Sequence, residues 1–229
     1  MDGGEIDYWL KDLYAIDSGI VGIPTSDGLL LPYRTVVWNI NNIRVYKKGK
    51  EFLKTSNEVE DAIERTALRL KLEYNACISC EDGSLILLDG SLFPPRYRSS
   101  SMDEAMSVRE KLITSKKRII AFSKDSRTNS GELKRVNGGW LSEGVEDCEG
   151  IITAYGRIIE WEQPFRMDLL NIELEEAWNI VRRFSYGRER TFLFPILLAD
   201  YYARLRPYEV SLLKAENSYR KQRRDFAPK

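Results

Sequence analysis

Dense blocks of apolar residues divide the first part of the chain into strands. The blocks LYAIDSGIVGI (13–23) and LLLPYRTVVWNINNIRVY (29–46) are rich in β-branched and aromatic residues, and the turn sequence PTSDG separates them. This pattern predicts antiparallel strands. Asp17 interrupts the first block, in the motif AIDSG. Aspartate is disfavoured inside a strand, so Asp17 indicates either a need for charge at this point or a capped turn.

The pattern changes to helical spacing in SNEVEDAIERTALRLKLEYNAC (56–77), for which Ser56 or Asn57 is the predicted N-cap. Glu73 lies about 40° to one side of the apolar face of this helix, so it borders the predicted buried surface. A pair with Arg69, one turn earlier, is the alternative role for Glu73. The apolar face itself consists of Val59, Ile63, Thr66, Leu70, Tyr74 and Cys77.

The tetrapeptide DGSL occurs twice, once on each side of an apolar run. Asp82 precedes the run Leu85–Leu88, and Asp89 follows it directly. Asp-Gly is a common turn sequence because glycine tolerates positive φ and aspartate bonds its own backbone. Two turns are therefore the first interpretation. The run itself predicts a strand, and the copies differ in that Asp82 comes before the strand whereas Asp89 ends it.

Further along the chain, MDEAMSVREKLITSKK predicts a helix and RIIAFSKDSR a short buried strand. Lys124 and Arg127 then fall at the C-terminal end of that strand. Residues 128–149 form a Gly-rich polar excursion, and IITAYGRIIEWEQPFRMDLLN predicts two more strands. Residues 173–224 are predicted to be helical. Strands and helices together predict one α/β domain over residues 1–229.

Asp200 lies in an apolar helix of this last part. It is the only charged residue between Thr191 and Ala203. Acids are rarely buried without a partner. We therefore expect apolar surroundings to raise the pKa of Asp200 unless a cation offsets them, and this cation is either a metal ion or an arginine such as Arg204.

The composition of the chain limits the kinds of binding and catalysis that it can support. The 35 basic and 35 acidic residues cancel, so any phosphate binding must be local. No apolar run reaches the roughly 18 residues that span a bilayer, and the first residues do not form a signal-peptide pattern, which predicts a cytoplasmic protein. The chain has no histidine, which excludes Ser-His-Asp and Cys-His catalysis and histidine-ligated zinc. Cys77 and Cys80 form a CxxC, for which small buried residues are favoured over a metal or redox role.

Four acids thus occupy unusual positions: Asp17, Glu73, Asp89 and Asp200. Each has an ordinary structural interpretation, but together they suit a divalent metal site. Hard cations such as Mn²⁺ and Mg²⁺ prefer carboxylate oxygens. Two such ions can activate water and stabilise both oxygens of a phosphodiester under attack, without histidine.

The chain also resembles the NurA nucleases of archaea and some bacteria. The motifs that carry the resemblance are YAIDSGIVG (14–22), LKLEYNA (70–76), LILLDGSLFPP (85–95), IIAFSKDSR (119–127) and FPILLADYYARL (194–205). The resemblance implies an RNase H-like α/β fold, with a mixed central sheet flanked by helices. It also implies catalytic and metal-binding roles for the four acids, in the order Asp17, Glu73, Asp89 and Asp200. Many members have histidine at the fourth position.

The same resemblance implies Mn²⁺-dependent degradation of DNA from its 5′ end, a homodimer, and partnership with a HerA-like hexameric ATPase in DNA-end resection. We expect Lys124, with Arg127 and Arg96, to position the phosphate near the acids. A second apolar strip on the predicted helix, Leu68 and Leu72, supports a dimer if a single domain leaves it uncovered.

Two other hypotheses remain besides a metal-dependent deoxyribonuclease that uses a two-metal-ion mechanism. One is a shortened, non-catalytic module that binds DNA or a motor ATPase. The other is different RNase H-like chemistry, such as that of a recombinase or an RNA-directed nuclease. The presence of all four acids favours the enzyme.

Overall fold

The computed structural model describes residues 12–25, 28–54, 57–93, 97, 99–123, 132–187 and 191–225, with only the backbone for 217–225. The strands are β1 (Leu13–Ile20), β2 (Ile23–Thr25), β3 (Gly28–Asn39), β4 (Asn42–Leu53), β5 (Leu85–Asp89), β6 (Arg118–Ser123), β7 (Lys134–Val136), β8 (Gly139–Leu141), β9 (Val145–Glu146), β10 (Ile152–Arg157), β11 (Phe165–Leu170), β12 (Ser185–Tyr186) and β13 (Phe192–Leu193). The helices are α1 (Glu58–Ile78), α2 (Ser100–Ile113), α3 (Leu174–Phe184), α4 (Phe194–Ala203) and α5 (Pro207–Asp225).

One large sheet organises the molecule. Its strand order is β2-β3-β1-β5-β6-β11-β10-β8-β7, with β4 also paired to β3 and β9 to β10. Strands β1, β3 and β4 form an antiparallel meander, whereas β5 is parallel to both β1 and β6. Because the two parallel connections pass through α1 and α2, the sheet is mixed, as the predicted RNase H-like α/β fold requires. This fold prediction is confirmed.

Alternate residues of the central strands face two different helix layers. On the face that we call the α3/α4 face, Leu13, Ala15, Leu85 and Leu87 pack with Trp178, Ile196 and Ala199. On the opposite face, the α1/α2 face, Ile16, Ile86 and Leu88 pack with Leu70, Tyr74 and Met102. Burial on both faces explains why β5 reads as a continuous apolar run.

Helix α1 begins as predicted, since the side chain of Asn57 accepts the backbone N–H groups of Val59 and Glu60 at 3.1 Å and 3.0 Å. Its first turn is less buried than the periodicity predicts, because Val59 is 67% exposed. Leu68 and Leu72 are buried against β3, where they pack with a cluster that contains Leu29, Leu31 and Tyr33. The domain itself covers this second strip, so the strip no longer supports a dimer.

The polar excursion also contributes to the sheet. Within its described part, β7, β8 and β9 form short strands, and both β8 and β9 pair with β10. At the other end of the sheet, α5 is held to β3 and β4 by ion pairs from Arg34 to Glu209 and from Lys50 to Glu216. Within the described residues, no helix has the length and apolar character needed to cross a membrane.

Candidate active site

Asp17 and Asp89 lie side by side on neighbouring parallel strands. The paired register of β1 and β5 ends at Ile16 and Leu88, and the next residue on each strand is one of the two acids. Adjacent strands are about 4.8 Å apart, and residues in register project to the same side. Asp17 is two residues after Ala15, and Asp89 is two residues after Leu87, so both acids lie on the α3/α4 face, at the C-terminal edge of these strands.

Glu73 approaches the same point from α1, on the opposite face of the sheet. Its side chain is 1% exposed, and its Oε1 atom is buried without a hydrogen-bond partner. The guanidinium Nε of Arg69 lies 4.0 Å from this atom, so the expected i,i+4 pair is loose. The Ser18 N–H donates to Asp17 Oδ1 at 2.8 Å. Burial raises the pKa of Glu73, and the negative charges of Asp17 and Asp89 add to this increase, so Glu73 lies near both acids.

Asp200 is brought to this position by the packing of α4 against β1. The last turn of α4 crosses β1 at Gly19, where a methyl group would lie 2.8 Å from the carbonyl carbon of Ala203. Asp200 accepts hydrogen bonds from Arg204, the Nε–Oδ1 distance being 3.0 Å. The arginine alternative is therefore the one that the structure contains.

The expected enclosure of Asp200 by apolar side chains is wrong. Its side chain is 27% exposed. Phe194, Tyr201 and Tyr202, on the same helix, are also exposed. The helix is apolar around most of its circumference, but only one side of it, including Ile196 and Ala199, contacts the core.

The electrostatics show that the acids influence one another. Burial raises the pKa of Asp17 to about 7, and the negative charges of Asp89 and Asp200 act in the same direction. Burial also raises the pKa of Glu73 well above its usual value, with further increases from Asp17 and Asp89 that the charge of Arg69 opposes. An added cation would relieve both effects, because it favours the ionised carboxylates.

The acids are not already arranged around an ion. Among the described residues, no group of three or more cysteine, aspartate or glutamate side chains has a geometry that could hold a metal ion. The donor set nevertheless fits a hard divalent cation, because it consists of carboxylates and includes the unpartnered buried oxygen of Glu73. Binding would require the side chains of Asp17, Glu73, Asp89 and Asp200 to turn toward a common centre.

A fifth acid, Asp168 of β11, organises the loop that follows Asp89, and the sequence patterns did not single it out. Asp168 is 1% exposed and accepts from Ser91 Oγ at 2.5 Å and from Leu92 N at 2.9 Å through Oδ2. Its Oδ1 accepts from Arg166 Nε at 2.7 Å and from Thr153 Oγ1 at 3.2 Å. The available signal was an acid inside the apolar strand FRMDLL, the same signal that identified Asp17.

The three predicted phosphate-binding residues, Lys124, Arg127 and Arg96, lie outside the described residues. Within the described part, Arg69 is a positively charged residue close to the acids. The negative charges of Glu73, Asp17 and Asp89 all raise the pKa of Arg69.

The two cysteines of the CxxC are buried, as expected for small core residues. Burial raises the pKa of the Cys80 thiol to about 11.

The sheet topology and the acid cluster define an RNase H-like protein with a candidate carboxylate metal centre. The NurA domain model matches residues 11–131, more than half of the chain. The chain therefore belongs to the NurA family. No curated protein matches it.

Solved structures share the fold. The NurA nuclease from Sulfolobus solfataricus superimposes with a TM-score of 0.59 and 16% identity, over 94% of this chain and 86% of that chain. A NurA structure with manganese gives 0.62 and 11% identity, over 94% and 89% of the two chains. A NurA bound to dAMP and manganese gives 0.56 and 11% identity, over 82% and 83%.

Proposed function

We propose that this protein is a metal-dependent DNA nuclease whose site is built from Asp17, Glu73, Asp89 and Asp200. The observation that carries the proposal is the convergence of these acids from two strands and two helices on one end of the sheet, where burial and mutual repulsion raise the pKa of Asp17 and Glu73. Such an arrangement is costly to a fold unless a cation binds there. Membership of the NurA family, with relatives solved with manganese and with dAMP, supports Mn²⁺ as the cation and a nucleotide as the ligand.

In the proposed mechanism, bound Mn²⁺ or Mg²⁺ supplies Lewis-acid chemistry and lowers the pKa of coordinated water. The carboxylates of Asp17, Glu73, Asp89 and Asp200 would hold the ions. Asp17 and Asp89 provide neighbouring carboxylates on a rigid sheet, while Glu73 and Asp200 approach from helices on opposite faces. Asp17 and Glu73 must release their protons for the site to form, because only ionised carboxylates are good ligands. Four carboxylates supply enough oxygen ligands for two ions, and we propose a two-ion site.

The finer parts of the proposal come from the family. They are degradation from the 5′ end in DNA-end resection, a homodimer, and a HerA-like hexameric ATPase as partner. We retain Lys124, Arg127 and Arg96 as proposed DNA contacts. Their position in the sequence, around the loops that follow β5 and β6, supports this role because ligands of α/β sheets bind beyond the carboxyl ends of strands.

The test uses the two copies of DGSL. Asp89→Asn should abolish Mn²⁺-dependent cleavage of end-labelled single- and double-stranded DNA, and EDTA should do the same to the wild type. Asp82→Asn is the matched control, because Asp82 is in the turn before β5, at the opposite end of the strand from Asp89, and pairs with Lys117 at 2.6 Å. Equal cleavage by wild type and Asp89→Asn would contradict the proposal.

The second candidate is the non-catalytic DNA- or ATPase-binding module. The hydrogen-bonded pair between Asp200 and Arg204 favours it, because this pair occupies one of the four acids without any metal. The module predicts no cleavage and no rise in melting temperature with Mn²⁺. The enzyme predicts cleavage and a rise in melting temperature with Mn²⁺, since a ligand that binds only the folded state stabilises it.

A further inference from the structure

Among the described residues, no helix packs over one face of β7, β8 and β10. On the α1/α2 face, the buried cluster includes residues of β1, β5 and β6, but from the described β7, β8 and β10 it includes none. The opposite side of those three strands is packed, since Val136, Leu141, Ala154 and Ile152 all contact the core of the α3/α4 face. In the described part of the chain, β7, β8 and β10 therefore present one open face, which reaches Arg166 at the start of β11, whereas Asp168 and Leu170 farther along β11 are buried.

The residues on this open face follow from strand alternation. Arg166 alternates with the buried Phe165 and Met167 of β11, and Tyr155 alternates with Ala154 of β10. The set on the open face is Arg135, Trp140, Thr153, Tyr155, Arg157 and Arg166, each of them half-buried or exposed. It contains three arginines and two aromatic rings, and no aliphatic side chain.

Three of these residues form a cross-strand ladder. Trp140 is in register with Arg135 on one side and with Arg157 on the other. The guanidinium carbon of Arg157 lies 4.7 Å from the Trp140 ring centre, and that of Arg135 lies 6.0 Å from it. The Nε of Arg157 is buried without a hydrogen-bond partner. Among the described residues, neither arginine forms an ion pair.

The ladder is continuous with the candidate active site. Arg166 is in register with Tyr155, and its guanidinium carbon lies 4.9 Å from the ring centre of Phe93. Phe93 is in the loop that Asp168 holds, four residues after Asp89. The Nε of Arg166 donates a hydrogen bond to Asp168, so this arginine connects the loop to the open face. From β11 to β7 the open face extends over three strand spacings, about 15 Å.

We propose that this open face binds a segment of single-stranded DNA and leads it toward the acid cluster. Arginines contact phosphates, and unpaired bases stack equally well on aromatic rings and on guanidinium planes. Duplex DNA hides its base faces, so stacking of this kind selects a single strand. A second copy of the chain fits less well, because interfaces between proteins have an apolar core and this face has no aliphatic side chain. The choice of DNA rests on the proposed function.

The experiment measures binding without cleavage. Fluorescence anisotropy with a labelled oligothymidine in EDTA should show wild-type binding that weakens about fivefold or more in Trp140→Ala and in Arg157→Ala, the range expected when one stacking contact is lost. Trp140→Phe keeps a ring and should retain most of the affinity. Arg135→Ala, at an exposed position, should lower the slope of log affinity against log salt by about 0.7.

Controls come from the other side of the molecule. Arg183→Ala on α3 and Tyr186→Ala on β12 remove one exposed charge and one exposed ring from the side of α3, and both should bind like the wild type. The proposal is overturned if wild type does not bind the oligonucleotide, if Trp140→Ala and Arg157→Ala bind within twofold of wild type while folded, or if the two controls lose as much affinity.

The outcome is separable from that of the nuclease test, because binding in EDTA needs no metal. Asp89→Asn should bind the oligonucleotide at least as tightly as the wild type, because it removes a negative charge near the phosphates. If binding depends on Trp140 but the protein does not cleave DNA, the binding face is supported and the nuclease proposal is rejected. If the protein cleaves DNA but its binding does not depend on Trp140 and Arg157, the nuclease proposal is supported and the binding face is rejected. A loss of dimer mass in Trp140→Ala, measured by light scattering, would assign the face to a second copy of the chain instead.

Discussion

Gly19 of β1 lies directly against Ala203, at the last turn of α4. A methyl group on Gly19 would be 2.8 Å from the carbonyl carbon of Ala203, and the obstacle is backbone, which cannot rotate away. Asp17 is two residues before Gly19, and Asp200 is three residues before Ala203. The close approach of strand and helix therefore determines how near the first and fourth acids of the site can come.

Gly19→Ala should lower the free energy of unfolding by about 1–3 kcal/mol and should weaken Mn²⁺-dependent cleavage, because α4 must move away from β1. Gly22→Ala is the control, since the nearest atom to its added methyl group is the flexible Leu29 Cδ1, at 3.4 Å. Urea unfolding and cleavage rates measure both effects. If Gly19→Ala is as stable and active as Gly22→Ala, the packing argument is wrong.

The raised pKa of Asp17 predicts a pH dependence of stability in the metal-free protein. Its pKa of about 7 when folded lies above the unfolded value, so the folded state binds more protons between about pH 4 and pH 7. Stability must then fall as the pH rises through this window, by at most about 1.4 kcal/mol per pH unit from this group. Urea unfolding in EDTA at several pH values should show this fall in the wild type and a smaller one in Asp17→Asn. A difference between the two proteins that is constant with pH would refute the assignment.

Substitutions of Asp200 and Arg204 distinguish a metal-binding role of Asp200 from a purely structural role in its ion pair with Arg204. Their pair is partly exposed, so breaking it should change stability by less than about 1 kcal/mol. Asp200→Asn should abolish cleavage and reduce the rise in melting temperature that Mn²⁺ causes, because a ligand is lost. Arg204→Ala should leave both intact. Equal effects of the two substitutions would mean that Asp200 serves only the pair.

Asp168→Asn tests the support of the loop after Asp89. An amide cannot accept from all four donors, so a buried donor is left unsatisfied, and we expect a loss of about 2–4 kcal/mol in stability. Hydrogen exchange at Leu92 should become faster, and Mn²⁺ affinity measured by electron paramagnetic resonance should fall. Thr153→Val, which removes only the 3.2 Å contact, is the milder control. Unchanged exchange at Leu92 would show that the loop does not depend on Asp168.

Much of the fold is determined locally in the sequence. The strand β5 is a continuous apolar run because both of its faces are buried, and α1 begins at Asn57 because a side chain there satisfies two free N–H groups. Asp17 and Asp89 were also recognisable from the local sequence. A charged residue within or at the end of an apolar strand is unfavourable, so it indicates a role other than packing in the core. The motif order then placed the chain in its family.

Tertiary structure decided what depends on contacts between distant segments. Helical periodicity shows that α4 is apolar but cannot show how much of it the core covers, so the exposure of Asp200 could not be predicted. The burial of Leu68 and Leu72 depends on β3, a strand some 40 residues earlier. The role of Asp168 depends on a loop 76 residues away. The position of Trp140 and Arg157 depends on the packing of the described helices, which cover only the α3/α4 face of β7, β8 and β10. A sequence records which residues are available, whereas packing determines which of them meet.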